Sequence, residues 1–171
     1  MFPSSLERLV GTARALPGEL RPAPPVRLPV DPGLVTGAVE VRALRERLGR
    51  FLEELSRRLE PALKTALQHA DVAWDAFDEI AVLDEELERE ATRLATEAQV
   101  LERDADPVRH AAGTEARITL ESTLGLLNLI ERRLATLVRL RVQSGDRSLL
   151  PGGRPFLDVA AALAEAARGW R

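Results

Sequence analysis

Residues 41–101 carry the most regular pattern in the chain and read VRALRERLGRFLEELSRRLEPALKTALQHADVAWDAFDEIAVLDEELEREATRLATEAQVL. An apolar side chain recurs there every three or four positions, which is the spacing of one face of an α-helix. The residues that form this stripe are Val41, Leu44, Leu48, Phe51, Leu55, Leu59, Ala62, Ala66, Ala70, Ala73, Phe77, Ile80, Leu83, Leu87, Ala91, Leu94, Ala98 and Leu101. An unbroken helix of this length would extend roughly 90 Å at about 1.5 Å per residue. The sequence therefore predicts long helices whose apolar stripe packs on another element or another chain.

Three places interrupt or end this helical pattern. Pro61 lies inside it, and a proline either kinks a helix or starts a new one, so both outcomes remain open. A second break is possible near His69, with Asp71 as the cap of the next helix. The clearest stop is DADP at residues 104–107, because Asp106 can cap a helix and Pro107 suits its first position.

A second long helix is predicted over residues 107–142, with a possible irregularity at Gly113. Its apolar stripe is wide, which indicates contact with more than one neighbour. Gly125 would let another backbone come close, although glycine costs about 1 kcal/mol in helix propensity. The segment 144–155 is predicted to be a loop, and a last helix is predicted over residues 156–168.

The first 33 residues differ from the rest of the chain. SSLE at residues 4–7 is a capping-box pattern, which predicts a short helix over residues 5–16. Six prolines then follow, at positions 17, 22, 24, 25, 29 and 32. They favour an extended arm, because proline cannot continue a helix. Val26, Leu28 and Val30 alternate along this arm and are candidates for docking on the body of the protein.

The composition favours a helical, globular chain. Of its 171 residues 45% are hydrophobic and only 4% aromatic, and leucine and alanine, both good helix formers, dominate the apolar set. We predict an all-α fold: an elongated antiparallel helical bundle or a coiled-coil-like hairpin of long helices. The predicted domains are a Pro-rich N-terminal arm with a short helix (1–33), the long-helix bundle (34–144), and a loop with a short C-terminal helix (145–171).

Several classes of protein are disfavoured by the composition. The absence of cysteine excludes disulfides, thiolate metal sites and thiol catalysis. Glu7, Arg8 and Arg14 interrupt any signal-peptide core, and no stretch approaches the roughly 20 apolar residues of a membrane span. We therefore expect a soluble, cytoplasmic protein that binds neither a membrane nor a cofactor.

Charge is segregated along the chain. Residues 1–58 carry ten arginines and seven acids, residues 71–106 thirteen acids and three arginines, and residues 107–154 eight arginines and four acids. Antiparallel folding would bring the acidic segment against both basic ones. Ion pairs would then set the order and register of the helices. The alternative is that the acidic face recruits a basic partner.

Motifs for catalysis or metal binding are weak. Asp71, Asp75, Asp78 and Glu79 share one helix face and could bind a hard cation or exchange protons, but a solvated face is the simpler interpretation. His110 lies four residues after Asp106, which is a weak metal signal without the Glu-x-x-His pairs of di-iron bundles. There is no nucleophile elbow and no phosphate-binding loop.

Nucleic-acid binding is a second alternative, and it would use the Arg-rich end of the 107–142 helix. Its arginines are Arg132, Arg133, Arg139, Arg141 and Arg147, which Arg42, Arg45 and Arg50 could extend into a patch. The net charge of −3 and the acidic segment argue against it, because both would repel phosphate.

The sequence favours a non-enzymatic helical protein–protein interaction module: a scaffold, adaptor or assembly subunit that associates with itself or with a protein partner. No small-molecule substrate is evident. The candidate contact residues are Trp74, Phe77, Phe156, Leu163 and Trp170, because aromatic and large apolar side chains dominate contact energies when buried. The alternative for all five is ordinary core packing. The remaining hypothesis is a metal-binding or enzymatic bundle that uses the Asp71–Glu79 face or His110.

Overall fold

The computed structural model describes residues 27–28, 39–68, 73–143 and 150–170. These residues form four helices, α1 (Val41–Gln68), α2 (Ala73–Glu102), α3 (Pro107–Gln143) and α4 (Leu150–Gly169), and no strand occurs among them. The all-α prediction is confirmed. The predicted N-terminal helix and most of the arm lie outside the described residues, as do His69 and Asp71.

Helix α1 continues through Pro61, so of the two outcomes left open by the sequence, the start of a new helix does not occur. Pro61 has no N–H to donate to the carbonyl of Arg57, and a proline inside a helix costs about 3 kcal/mol. Leu59, Ala62 and Leu63, which surround it, are nevertheless buried. The apolar packing on both sides of Pro61 therefore outweighs the lost hydrogen bond.

Helices α1 and α4 pack against each other and run in opposite directions. The Ser56 hydroxyl on α1 lies 3.4 Å from the Ala160 carbonyl oxygen on α4, to which it donates. Earlier in α1, Gly49 faces Trp170, and a Cβ built on this glycine would lie 3.4 Å from the Trp170 Cβ. Residue numbers thus rise along α1 as they fall along α4.

Helices α2 and α3 form a hairpin whose turn is residues 103–106. The Asp106 carboxylate accepts the backbone N–H groups of Val108 at 2.7 Å and Arg109 at 3.4 Å. Pro107 begins the helix, where a missing N–H costs nothing. The predicted stop and cap at DADP are therefore confirmed.

Gly113 is the point of closest approach between α2 and α3. A Cβ on this residue would lie 2.4 Å from the Ala98 carbonyl oxygen, 2.5 Å from the Glu102 nitrogen and 2.9 Å from the Leu101 Cβ. Only a glycine fits such a contact. Helix α3 is continuous through Gly113, so the irregularity considered there does not occur.

One hydrophobic core joins the helices. Its largest fully buried side chains are Phe156, Leu44, Leu48, Leu52, Leu55, Leu59, Leu63, Leu67, Leu94, Leu101 and Leu120. The predicted stripe thus lies inside the chain for α1 and for the second half of α2. Leu28 is half-buried against this core, as expected, whereas Val26 and Val30 lie outside the described residues.

Two predictions about local structure are corrected by the fold. Helix α4 begins at Leu150, so residues 150–155 are helical rather than loop. Pro151 occupies the first turn, where the missing N–H is tolerated, and Pro155 then removes one internal hydrogen bond. Gly125 lies at no close approach within the described part of the chain, because none of those atoms lies within 4 Å of a Cβ built on it.

Candidate functional site

The side of α3 that faces away from the core forms the most extended candidate surface, which we call the outer face of α3. Its residues are spaced three or four apart, so they lie in one row along the helix. All of them are exposed or half-buried. They are Val108, Ala111, Glu115, Ile118, Ser122, Gly125, Leu129, Arg132, Thr136 and Leu140. Leu129, at the edge of this face, also packs in part against the core.

Large apolar side chains on this face remain in contact with solvent. Val108 is 71% exposed, Leu140 55% and Ile118 42%. Single exposed apolar residues are normal on protein surfaces, but several on one face indicate a contact surface. The same helix buries its opposite side, including Leu120, in the core. Helix α3 therefore presents apolar side chains in two directions.

Gly125 lies near the middle of the outer face of α3. The described residues leave open space around it, as shown above. Glycine lowers helix stability by about 1 kcal/mol relative to alanine. Contacts within the described part of the chain therefore do not explain a glycine at this position.

Charges on and beside this face are divided between its two halves. Glu115 pairs with Arg45 at 3.2 Å, and Glu121 pairs with Arg117 at 3.1 Å. Both glutamates remain half-buried, whereas Arg132 and Arg139 in the second half are exposed. The first half therefore carries glutamates that are already paired, and the second half carries exposed arginines.

The acidic segment 71–106 forms ion pairs with both of its basic neighbours. Glu97 on α2 contacts Arg47 on α1 through both of its oxygens, with Arg47 Nη1 lying 2.5 Å from Glu97 Oε1. Glu102 binds Arg117 on α3, with Arg117 Nη2 lying 2.9 Å from Glu102 Oε1. These contacts agree with the interpretation that charge helps to set helix order and register.

Two carboxyl groups near the turn have lowered pKa values. The hydrogen bond from Arg117 is the main cause of the lowered Glu102 pKa. Partial burial raises this pKa in part, and the Thr114 hydroxyl lowers it further. The Asp106 backbone N–H is the main cause of the lowered Asp104 pKa, followed by the Arg109 side chain. Both groups are thus held as carboxylates by donors within the chain.

The predicted contact residues fall into two groups. Trp74 and Phe77 lie on α2, and the structure describes their backbone but not their side chains. Phe156, Leu163 and Trp170 are buried within the chain, and the Arg45 guanidinium lies 5.8 Å from the centre of the Trp170 ring. The structure therefore places these three where the core-packing alternative puts them.

The residues proposed for metal binding or catalysis are only partly described. Asp71 lies outside the described residues, and the side chains of Asp75, Asp78 and Glu79 are likewise not described. His110 Nδ1 lies 2.5 Å from the Glu102 carbonyl oxygen. Among the side chains that the structure describes, no three of His, Asp or Glu are grouped so that they could hold a metal ion.

The arginines proposed for nucleic-acid binding do not form one free patch. Arg133 is buried, Arg42 pairs with Glu46 at 2.9 Å, and Arg45 pairs with Glu115. The Arg141 side chain and Arg147 lie outside the described ones. Arg132 and Arg139 remain exposed on α3.

A groove between α1 and α4 has a volume of about 280 Å³. It is lined by Glu53, Ser56, Arg57, Ala164, Ala167 and Arg168. Arg57 is held by Glu54, from whose Oε1 its Nη2 lies 2.7 Å. The groove is therefore lined by three charged side chains, one serine and two alanines.

Comparison of the chain with protein-family models, curated proteins and solved structures finds no match. Within the described ranges, no helix combines the length and the apolar character that crossing a membrane requires.

Proposed function

We propose that this protein is a non-enzymatic helical interaction module, acting as a scaffold, adaptor or assembly subunit that associates with itself. The helices would form an elongated antiparallel bundle, whose core fixes the shape while one helix face binds the next chain. The opposite directions of α1 and α4, and the hairpin of α2 and α3, support this arrangement.

The observation that carries the proposal is the outer face of α3. Val108, Ile118 and Leu140 are exposed on this face although the core is already closed beneath it. Their association with a second chain would remove apolar surface from water, at about 25 cal/mol for each Å² buried.

The experiment is a urea unfolding series at several protein concentrations. If folded chains associate, mass action stabilises the folded state, and the unfolding midpoint rises with protein concentration. An Ile118→Ser variant should reduce this dependence without changing the helix content seen by circular dichroism. The matched control is Thr136→Ser, which makes a small change on the same face.

A midpoint that stays the same at every concentration, for the unmodified chain, would contradict self-association. If the unfolding midpoint of Ile118→Ser depends on protein concentration as strongly as that of the unmodified chain, the chains associate through another surface. The exposed side chains of α3 would then no longer support the proposal.

A further inference from the structure

We propose that two copies of this chain pair through the outer faces of their α3 helices, antiparallel, with the helices crossing at Gly125. This inference rests on the proposed function and names its interface and its partner, a second copy. The observations that lead to it are the two paired glutamates beside Ile118 and the exposed Arg132, the open position of Gly125 and the placement of the exposed apolar side chains.

Charge complementarity selects the second copy as the occupant of this face. In an antiparallel pair centred on Gly125, Arg132 of one copy lies opposite Ile118 of the other. Glu115 and Glu121 are each three residues from Ile118, so they lie one helical turn to either side of that arginine. Each glutamate already binds one arginine of its own chain, and a carboxylate has further acceptor sites for a second.

The same charges disfavour a parallel pair. Parallel alignment would place Arg132 beside Arg132 and Glu121 beside Glu121, and like charges in contact are destabilising. In the antiparallel pair, Arg132 of each copy instead lies near the glutamates of the other copy. The two-fold symmetry makes this contact twice, once on either side of Gly125. An interface of this kind is self-complementary and closes at two copies.

Gly125 at the crossing point gives the two backbones room to approach. No described atom of its own chain lies within 4 Å of a Cβ at this position, so the space is open to another chain. Small residues at helix crossings allow backbones to come close. Ser122, one turn away, is also small.

The apolar side chains are placed to meet across the same pair. Leu140 of one copy falls opposite residue 110 of the other, between Val108 and Ala111. These are exposed positions in the single chain. The antiparallel pair would thus cover the two most exposed large apolar side chains of the described residues, Val108 and Leu140, at each of its ends.

The chain has no cysteine, so single cysteines report this pairing directly. A disulfide requires Cα atoms about 4.4–6.8 Å apart. Gly125→Cys should therefore form a disulfide-linked dimer under mild oxidation. Ile118→Cys alone should not, because in the antiparallel pair the two copies of residue 118 are separated by about 21 Å along the helices, at about 1.5 Å per residue. A mixture of Ile118→Cys and Arg132→Cys proteins should form a mixed dimer.

A charge reversal tests the same geometry without oxidation. Arg132→Glu should raise the dissociation constant of the dimer at least about tenfold, since it places acids against acids. Arg168→Glu, an exposed arginine on α4, is the matched control and should leave the constant unchanged.

The outcomes separate this inference from the proposed function. If the unmodified protein is a dimer by light scattering but neither Gly125→Cys nor the mixture of Ile118→Cys and Arg132→Cys crosslinks, the interface named here is overturned while self-association stands. Efficient crosslinking of Ile118→Cys alone would overturn the antiparallel arrangement in favour of a parallel one. If the unmodified protein has the mass of one chain, both proposals fail.

Discussion

Arg117 on α3 holds Glu102 on α2 in a two-pronged ion pair: Nε lies 2.9 Å from Oε2, and Nη2 lies 2.9 Å from Oε1. Both side chains are partly buried. Together with Arg47 and Glu97, which join α1 to α2, this pair fixes α2 between its two basic neighbours.

Replacing Glu102 by Gln should lower the free energy of unfolding by about 1 kcal/mol at neutral pH, because Arg117 loses one of its two charged acceptors and keeps only Glu121. Urea unfolding at one fixed protein concentration measures the change. Glu88→Gln, on the exposed part of α2, is the control and should change the free energy by less than about 0.5 kcal/mol.

The effect of Glu102→Gln should also depend on pH. Because the folded-state pKa of Glu102 is below its ordinary value of 4.5, the stabilisation is fully present above pH 4.5. It is lost as the pH falls through the lowered folded-state pKa. The difference between the unmodified protein and the variant should therefore shrink below pH 4.5. A difference that grows in acid would contradict this account of the pair.

Gly113→Ala should destabilise the protein by about 3 kcal/mol, because the new methyl group would press on the backbone of Ala98 and Glu102. The matched control is Gly49→Ala, whose Cβ meets the Trp170 Cβ at 3.4 Å and the Ala167 carbonyl oxygen at 3.7 Å, both ordinary contacts. Its effect should be neutral or slightly stabilising, since alanine favours the helix. Thermal unfolding compares the two, and equal shifts in both variants would refute the close approach at Gly113.

Asp106→Ala should cost about 1 kcal/mol of stability, because the backbone N–H groups of Val108 and Arg109 lose their acceptor. Asp106→Asn preserves the side-chain oxygen and should recover most of the loss. Urea midpoints of the three proteins test the cap. If the asparagine variant is as unstable as the alanine variant, the charge of Asp106 rather than its capping bond is what matters.

Phe156→Ala should destabilise the protein by about 3–5 kcal/mol, because this side chain is fully buried. Arg154→Ala, at an exposed position of the same helix, should have little effect. Deleting residues 153–171 should accordingly unfold α1, which packs against this segment. A truncated protein with unchanged helix content and unfolding midpoint would instead show that the tail is separate from the core.

The sequence predicted the helices better than it predicted their outer surfaces. The stripe from Val41 to Leu101 and the DADP stop come from local rules, namely helical spacing and capping, and both gave the correct elements. The continuation through Pro61 could not be predicted, because it depends on packing energies of neighbouring leucines that local propensity does not contain.

The candidate surface was only partly visible in the sequence. The wide stripe of the 107–142 helix indicated more than one neighbour, and Leu129 and Leu140 were the signals of its extra width. Which of two glycines, Gly113 or Gly125, lies at a helix contact depends on the rotation of α3 about its axis. That rotation is set by tertiary packing, and the sequence pattern alone did not show that Gly113 is the one in contact within the chain.

Light scattering on a sizing column gives the mass of the unmodified protein in solution. The outer face of α3 predicts a species of twice the 18.8 kDa chain mass. A single species of 18.8 kDa at every concentration would contradict it, and would mean that the exposed apolar side chains of α3 do not join two copies of this protein.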